Sequence, residues 1–370
     1  MTTKTLHSDP HKRLYSLDAL RGFDMFWITG GGMLAVAISR ITGAAWLETQ
    51  MQHVSWEGFR FEDLIFPLFT FIAGAAIPFS ILSKVEKNVP RFKLLKKAFY
   101  RMIILILLGI LHNGTFKNGF TDGRIASVLG QIGIAYFIAT LVSVYSGSLK
   151  WRIIWTISLL LGIAILQLAV PVPGFGAGNL TPQGCINGYI DRMYLPGKLY
   201  RDIYDPEGLL CVISAGGIAL MGTFAGTILR SKKTGDWRKI GLLAAIGTGS
   251  VLVALAVSSF YPVIKSCWTT SFNLLAGGIS FLLLALFYLL TDHWHFRKWA
   301  FYFRIIGMNS IFVYLFTRLV DVKRISESFL GWISSSLPEK AGQVVIVTGA
   351  LAIIWLILYF MYRRNIFFRI

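Results

Sequence analysis

The chain has no polar stretch long enough to make a soluble domain, no low-complexity linker and no convincing internal repeat. Soluble-type catalytic signatures are also missing. There is no Gly-x-Ser-x-Gly elbow, no phosphate-cradling glycine loop before Lys-Ser/Thr, no dinucleotide fingerprint, and no His/Cys/carboxylate cluster at zinc-like spacing. No metal site is expected. Acidic side chains are scarce, 18 Asp and Glu against 36 Lys and Arg, and charged residues make up only 15% of the 370. Of the three cysteines, Cys185 and Cys267 fall in predicted non-cytoplasmic loops and Cys211 at a helix start; a disulfide between the first two is open, subject to geometry. A cleavable signal peptide is not evident, because the first apolar segment carries Asp18, Arg21 and Asp24 and lacks a small-residue cleavage site.

What the chain has in abundance is apolar surface: 55% hydrophobic residues and a mean hydropathy of +0.62. Stretches of about 20 apolar residues, enough to cross a bilayer, recur near 17–40, 60–83, 101–114, 125–146, 151–170, 208–229, 239–258, 270–291, 299–320 and 343–362. The third is the shortest. The expected fold is an all-α polytopic membrane helical bundle of about ten transmembrane helices. It forms a single transmembrane domain over 1–370, with an N-terminal tail at 1–15 and a long loop at 171–207.

The net charge of +18 invites a nucleic-acid partner, but its placement excludes one. Twenty-two of the 36 basic residues gather in every second connection, including seven from Lys84 to Arg101 and five from Arg230 to Lys239. That is the positive-inside pattern. It predicts both termini cytoplasmic, the lipid bilayer as the partner of the apolar surface, and the loop carrying His53 on the other side, periplasmic in a bacterial inner membrane.

His53 stands in a loop free of Lys and Arg up to Gly58, within Gln52-His53-Val54-Ser55-Trp56-Glu57-Gly58, and Asp63 follows in an apolar run. An interfacial histidine held only by its amphipathic ring is one reading. The other is chemical: a neutral imidazole can take a proton from an attacking amine or hydroxyl, or accept an acyl group, with a carboxylate such as Asp63 orienting it. The two meet only if the ten-residue segment folds back.

Charges inside membrane segments cost about 2.5–3.5 kcal/mol each, so they face a protein interior or a wet cavity. Asp18 with Arg21 fits an ion pair as well as a functional role. Arg124 and Gln131, seven apart, share one face of the fourth segment. Gly30-Gly31-Gly32 permits close backbone approach, and Asn309-Ser310 needs polar partners within an apolar ninth segment.

Taken together, Ser16-Leu17-Asp18-Ala19-Leu20-Arg21-Gly22, the triple glycine, His53 to Gly58 with Asp63 to Pro67, Val172-Pro173-Gly174, Gly188 to Arg192, Tyr204 to Gly208 and Gly307 to Ile311 resemble, in order, the heparan-alpha-glucosaminide N-acetyltransferase family of transmembrane acyltransferases. The resemblance runs from about Leu14 to the C-terminus. It implies transfer of acetyl from cytosolic acetyl-CoA, the acyl donor, to the amino group of glucosamine or a glucosamine-terminated glycan across the membrane, with His53 matching the family's active histidine. Asp63 would orient it. Arg124, Gln131, Asn309 and Ser310 would line the central cavity and bind donor or acyl oxygen, with Arg21 and Arg304 toward the CoA phosphates. Trp56, Asp191 and Glu207 would face the sugar. The lysosomal members carry Asn-Tyr where this chain has Ile28-Thr29, and an additional N-terminal luminal region. The expectation is a bacterial inner-membrane relative whose acceptor need not be heparan sulfate. A homodimer is admitted. The alternatives are an O-acyltransferase of envelope glycans and an amino-sugar transporter without chemistry.

Overall fold

The computed structural model describes residues 14–368 apart from 116–118 and 120–121; most of the N-terminal tail, with His7 and His11, and Arg369 lie outside the described residues. The described chain is helical, and its only β pairings are isolated bridges. By length and composition, eight helices can cross a membrane, and a ninth span is formed if one bent pair counts as one. This is an all-α polytopic membrane protein.

Three of the predicted segments depart from simple spans. The first is α1 (Tyr15–Phe26), a π turn (Trp27–Gly31) and α2 (Gly32–Thr42). Gly30 takes φ 149°, open only to glycine, and the hydroxyl of Thr29 donates to the Met25 carbonyl as the helical ladder changes register. The third predicted segment is the C-terminal half of α5 (Arg91–His112), whose 22 residues are long enough to span but whose first turns are strongly basic, which takes it outside the count of eight. The ninth breaks at Asn309 into α12 (Ala300–Met308) and α13 (Ser310–Leu319), bent by 77°. The Asn309 amide leaves its own helices for the C-terminal segment: Nδ2 donates to the Ile366 carbonyl, and Oδ1 accepts from the Phe368 N–H.

Contacts divide the described residues into two compact units, 14–31 with 283–368, and 32–282. In the first, α1 and α12 meet backbone to backbone. A Cβ on Gly22 would stand 1.6 Å from the Phe303 carbonyl oxygen, and one on Gly307 2.0 Å from that of Asp18. Asp292 caps α1, accepting from the N–H groups of Tyr15 and Ser16 at 3.3 and 2.8 Å. Between the ninth and tenth predicted segments lies the amphipathic helix α14 (Val322–Ser335), packed on α15 (Glu339–Arg363) through Ser326, whose hydroxyl donates to the Ile346 carbonyl.

The second unit is built on α9 (Leu209–Arg230), the most buried of the candidate spans. It packs on α4 (Phe61–Ala75) through small residues: Cβ atoms on Gly74, Gly222 and Gly226 would stand 1.9–2.2 Å from carbonyl oxygens of Ala219, Phe71 and Ala75. In lipid, where apolar side chains gain little by leaving the solvent, such close contact supplies the packing energy. The other helices of this unit include α3 (Ala45–Gln50), α6 (Val128–Tyr145), α7 (Leu149–Ala169), α8 (Ile186–Tyr194), α10 (Asp236–Val257) and most of α11 (Thr270–Tyr288). The basic connections join up: Arg230 pairs with Glu86 at 2.6 Å, and Arg152 donates to Thr227. The poorly basic connections meet one another elsewhere, at the site described next.

Candidate functional site

Four connections, 43–60, the described part of 113–127, 171–208 and 258–269, converge in the second unit. Glu57 bridges to Ile264, with Gly58 N–H donating to the Val263 carbonyl at 2.9 Å; Arg124 bridges to Gly197; and the Trp56 indole N–H donates to the Leu180 carbonyl at 2.8 Å. Each link joins segments distant in sequence, so the loop of His53 has a fixed floor.

The segment between His53 and Asp63 does fold back. Asp63 lies in the first turn of α4, where Oδ2 accepts from the N–H of Arg60 at 3.1 Å and so satisfies a free donor of the helix terminus. The same oxygen reaches the N–H of Val54 at 3.4 Å, while Oδ1 lies 2.8 Å from His53 Nδ1. The Arg60 guanidinium closes the turn by donating to the His53 carbonyl, and Gln50 Oε1 accepts from the Phe61 N–H. The carboxylate is fully buried, whereas the imidazole side chain is 54% exposed. The shorter contact of Nδ1, to the acceptor Asp63 rather than to a cation, assigns Nδ1 the proton and leaves Nε2 as the basic nitrogen of this half-exposed ring.

A third charge, which the sequence reading did not single out, completes the group. Lys265 Nζ lies 3.4 Å from Asp63 Oδ1 and 3.2 Å from His53 Nδ1. Its backbone sits in a one-turn 3₁₀ helix, Lys265–Cys267, closed by Trp268 in the left-handed region at φ 47°. Hydrogen bonds hold that uncommon conformation: the Thr269 hydroxyl accepts from Ile264 N–H and donates to the Pro262 carbonyl, and the Trp268 carbonyl accepts from Ser214. Burial draws the Lys265 ammonium below its ordinary pKa, with Asp63 and Glu207 opposing that shift. The one available signal was a lone lysine in a loop otherwise on the poorly basic side.

Glu207 connects this group to Arg124. The guanidinium grips Asp205 through Nε and Nη2 at 2.8 and 2.6 Å, and Nη2 also meets Glu207 Oε2. It lies over the Tyr200 ring, 4.7 Å from its centroid. Burial disfavours the Arg124 cation, but the two carboxylates outweigh it and raise its pKa. Burial pushes the Glu207 carboxyl up despite Arg124. Trp56 stands edge-on to Tyr204 at 4.9 Å, forming an aromatic wall beside the Lys265 turn.

The other expected site residues are placed differently. Asp191 is sealed: Oδ1 accepts from the Leu209 N–H at the start of α9, and Oδ2 has no hydrogen-bond partner. Its carboxyl is pushed up to about 6, chiefly by burial. Gln131 donates to the Cys211 carbonyl and keeps Oε1 buried without a partner. Arg21, Arg304, Asn309 and Ser310 belong to the first unit. There Arg21 pairs with Asp18 at 3.4 Å, Arg304 lies over the Tyr15 ring, and Ser310 opens α13. Among the described residues no group of three or more His, Cys, Asp or Glu is arranged to hold a metal ion.

Fold and site together define a polytopic helical membrane protein with a buried carboxylate holding an accessible histidine among further charges. Across 97% of its length the chain is 28% identical to heparan-alpha-glucosaminide N-acetyltransferase of Homo sapiens and, over the same share, 27% identical to the protein of that name from Mus musculus. The chain is a homologue of these N-acetyltransferases, and it spans about 60% of the length of each. No family model matches it.

Proposed function

We propose that the chain is an acyltransferase that carries acetyl from acetyl-CoA to the amino group of glucosamine or of a glucosamine-terminated glycan. The observation that carries this reading is the His53–Asp63 pair, set at the convergence of the poorly basic connections. Four carboxylates, Glu62, Asp63, Asp205 and Glu207, stand around two sheltered cations, Lys265 and Arg124. That acidic excess favours an acceptor arriving as an ammonium ion over a neutral hydroxyl.

In this account the acceptor ammonium gives its excess proton to bulk water and presents its lone pair to the acyl carbon. His53 Nε2 takes the second proton as the N–C bond forms and the C–S bond breaks, and then returns it to the departing CoA thiolate. Asp63 stabilises the resulting imidazolium without itself becoming protonated. Bound acetyl-CoA supplies an acyl group already activated as a thioester. Lys265 neutralises Asp63 in the ground state and fixes its orientation. Trp56, backed by buried Tyr204, offers an aromatic face to the sugar ring, and Glu207 a carboxylate to its hydroxyls or amine.

A donor of this kind needs cations for its phosphates and a polar group for its acyl end. In the unit that holds His53, the buried Oε1 of Gln131 has no hydrogen-bond partner and would accept from a pantetheine amide. The charge pattern orients the donor to the cytoplasmic face and His53 to the opposite face, periplasmic in a bacterial inner membrane.

Purified protein given labelled acetyl-CoA and glucosamine tests the reading. Labelled N-acetylglucosamine supports it. Uptake of amino sugar into vesicles without turnover would establish a transporter instead, and transfer only to polymeric hydroxyl acceptors an O-acyltransferase.

A further inference from the structure

All three cysteines are fully buried, and none belongs to the His53 group. Cys185 and Cys267 share one sealed cluster with Ile264, against which Trp56 and Leu180 pack. Cys185 precedes α8 and its sulfur accepts from the Gly188 N–H; Cys267 ends the 3₁₀ turn that begins at Lys265. The Cys185 thiol donates to the Pro182 carbonyl at 3.8 Å, and the nearness of the two sulfurs lowers the pKa of Cys185 and raises that of Cys267. Cys211 is committed elsewhere: its thiol donates to the Ser266 carbonyl and accepts from the Asn187 amide.

We propose that Cys185 and Cys267 are a disulfide site, and that their bond ties the 171–207 loop to the turn carrying Lys265. The pair are free thiols in the structure. In the oxidation each thiol gives up its proton, one S–S bond forms, and a small-molecule or protein disulfide takes the two electrons and two protons to become a dithiol. The cluster is closed to solvent, so the bond forms before the loops close during folding. Once formed, it fixes the floor beneath Trp56 and the position of Cys267, two residues from the lysine that touches Asp63.

The proposal rests on the orientation given above, because both loops must face an oxidising compartment. The test is alkylation of the denatured protein taken directly from native membranes, with and without prior reduction, followed by peptide mass mapping. The expected result is one alkylated cysteine, Cys211, before reduction and three after, with a linked peptide joining Cys185 and Cys267. Three alkylated cysteines without reduction, or a linkage involving Cys211, would overturn it. If three are found, refolding purified protein in glutathione disulfide locates the failure. Linkage of the same pair there means that the orientation was wrong, and no linkage means that the geometry was. Cys185→Ser, Cys267→Ser and the double variant should lower thermal stability equally if one bond is lost in each.

Discussion

His53 Nδ1 lies 2.8 Å from Asp63 Oδ1, across a ten-residue segment that folds back so that one carboxylate both caps α4 and orients the imidazole. Helix termination and site geometry therefore depend on the same side chain. Asp63→Asn should keep the N-terminal cap, since an amide oxygen still accepts from Arg60, but should lose the charge that stabilises imidazolium. Turnover is expected to fall about 10²–10⁴-fold, the typical worth of positioned acid–base catalysis, and the thermal midpoint should fall as well, because buried Lys265 loses its counter-charge. Steady-state kinetics alongside a melting curve separates the two effects.

On the proposed function Lys265 acts as a positioning residue, through its contacts with Asp63 and His53. Lys265→Met removes the counter-charge of a fully buried carboxylate while keeping the apolar stem, and breaking a buried pair typically costs about 3–5 kcal/mol. Lys265→Arg should recover most of the stability but not the turnover, because a planar fork cannot reproduce a point contact to both Asp63 and His53. Equal activity of the lysine and arginine forms would remove Lys265 from the account.

The Asp191 carboxyl supplies a pH dependence of known sign. Its pKa is raised to about 6 in the fold, against about 4 unfolded, so the folded state binds its proton more tightly. The stability this contributes is present below about pH 4 and is lost as pH rises through about 6, on the order of 2–3 kcal/mol in all. Asp191→Asn should flatten that part of the melting profile between pH 4 and 7. An unchanged slope would show that another group titrates there.

The packing of α9 on α4 has no room for a side chain at its crossing points. Gly222→Ala would set a Cβ 2.1 Å from the Phe71 carbonyl oxygen, a backbone atom that cannot rotate away. The helices must separate, at a cost of about 1–3 kcal/mol or more. Gly249→Ala, where a Cβ meets nothing within 4 Å, is the control and should be silent. Thermal unfolding in detergent compares them.

Sequence periodicity and charge placement made the helical membrane fold legible because lipid demands long apolar helices with satisfied backbones. They did not show the breaks. Asn309 reads as a polar residue inside a span, yet the helix ends there because its amide serves Ile366 and Phe368, some 57 residues away. At the site, His53 and Asp63 were legible as candidates, whereas Lys265 was not. Its role depends on a loop 200 residues distant folding beneath Asp63, held by hydroxyl contacts of Thr269 that carry no periodic signal. Asp191 appeared as a sugar contact from its polarity, and the fold gives that polarity to the first N–H of α9.

The central claim is that His53 performs the transfer chemistry. The direct measurement is formation of N-acetylglucosamine from acetyl-CoA and glucosamine by wild-type and His53→Ala proteins of matched thermal stability. Because the imidazole is half exposed, its loss should leave the fold intact. The account predicts a fall in turnover of at least about 10²-fold. Turnover within threefold of wild type would contradict it.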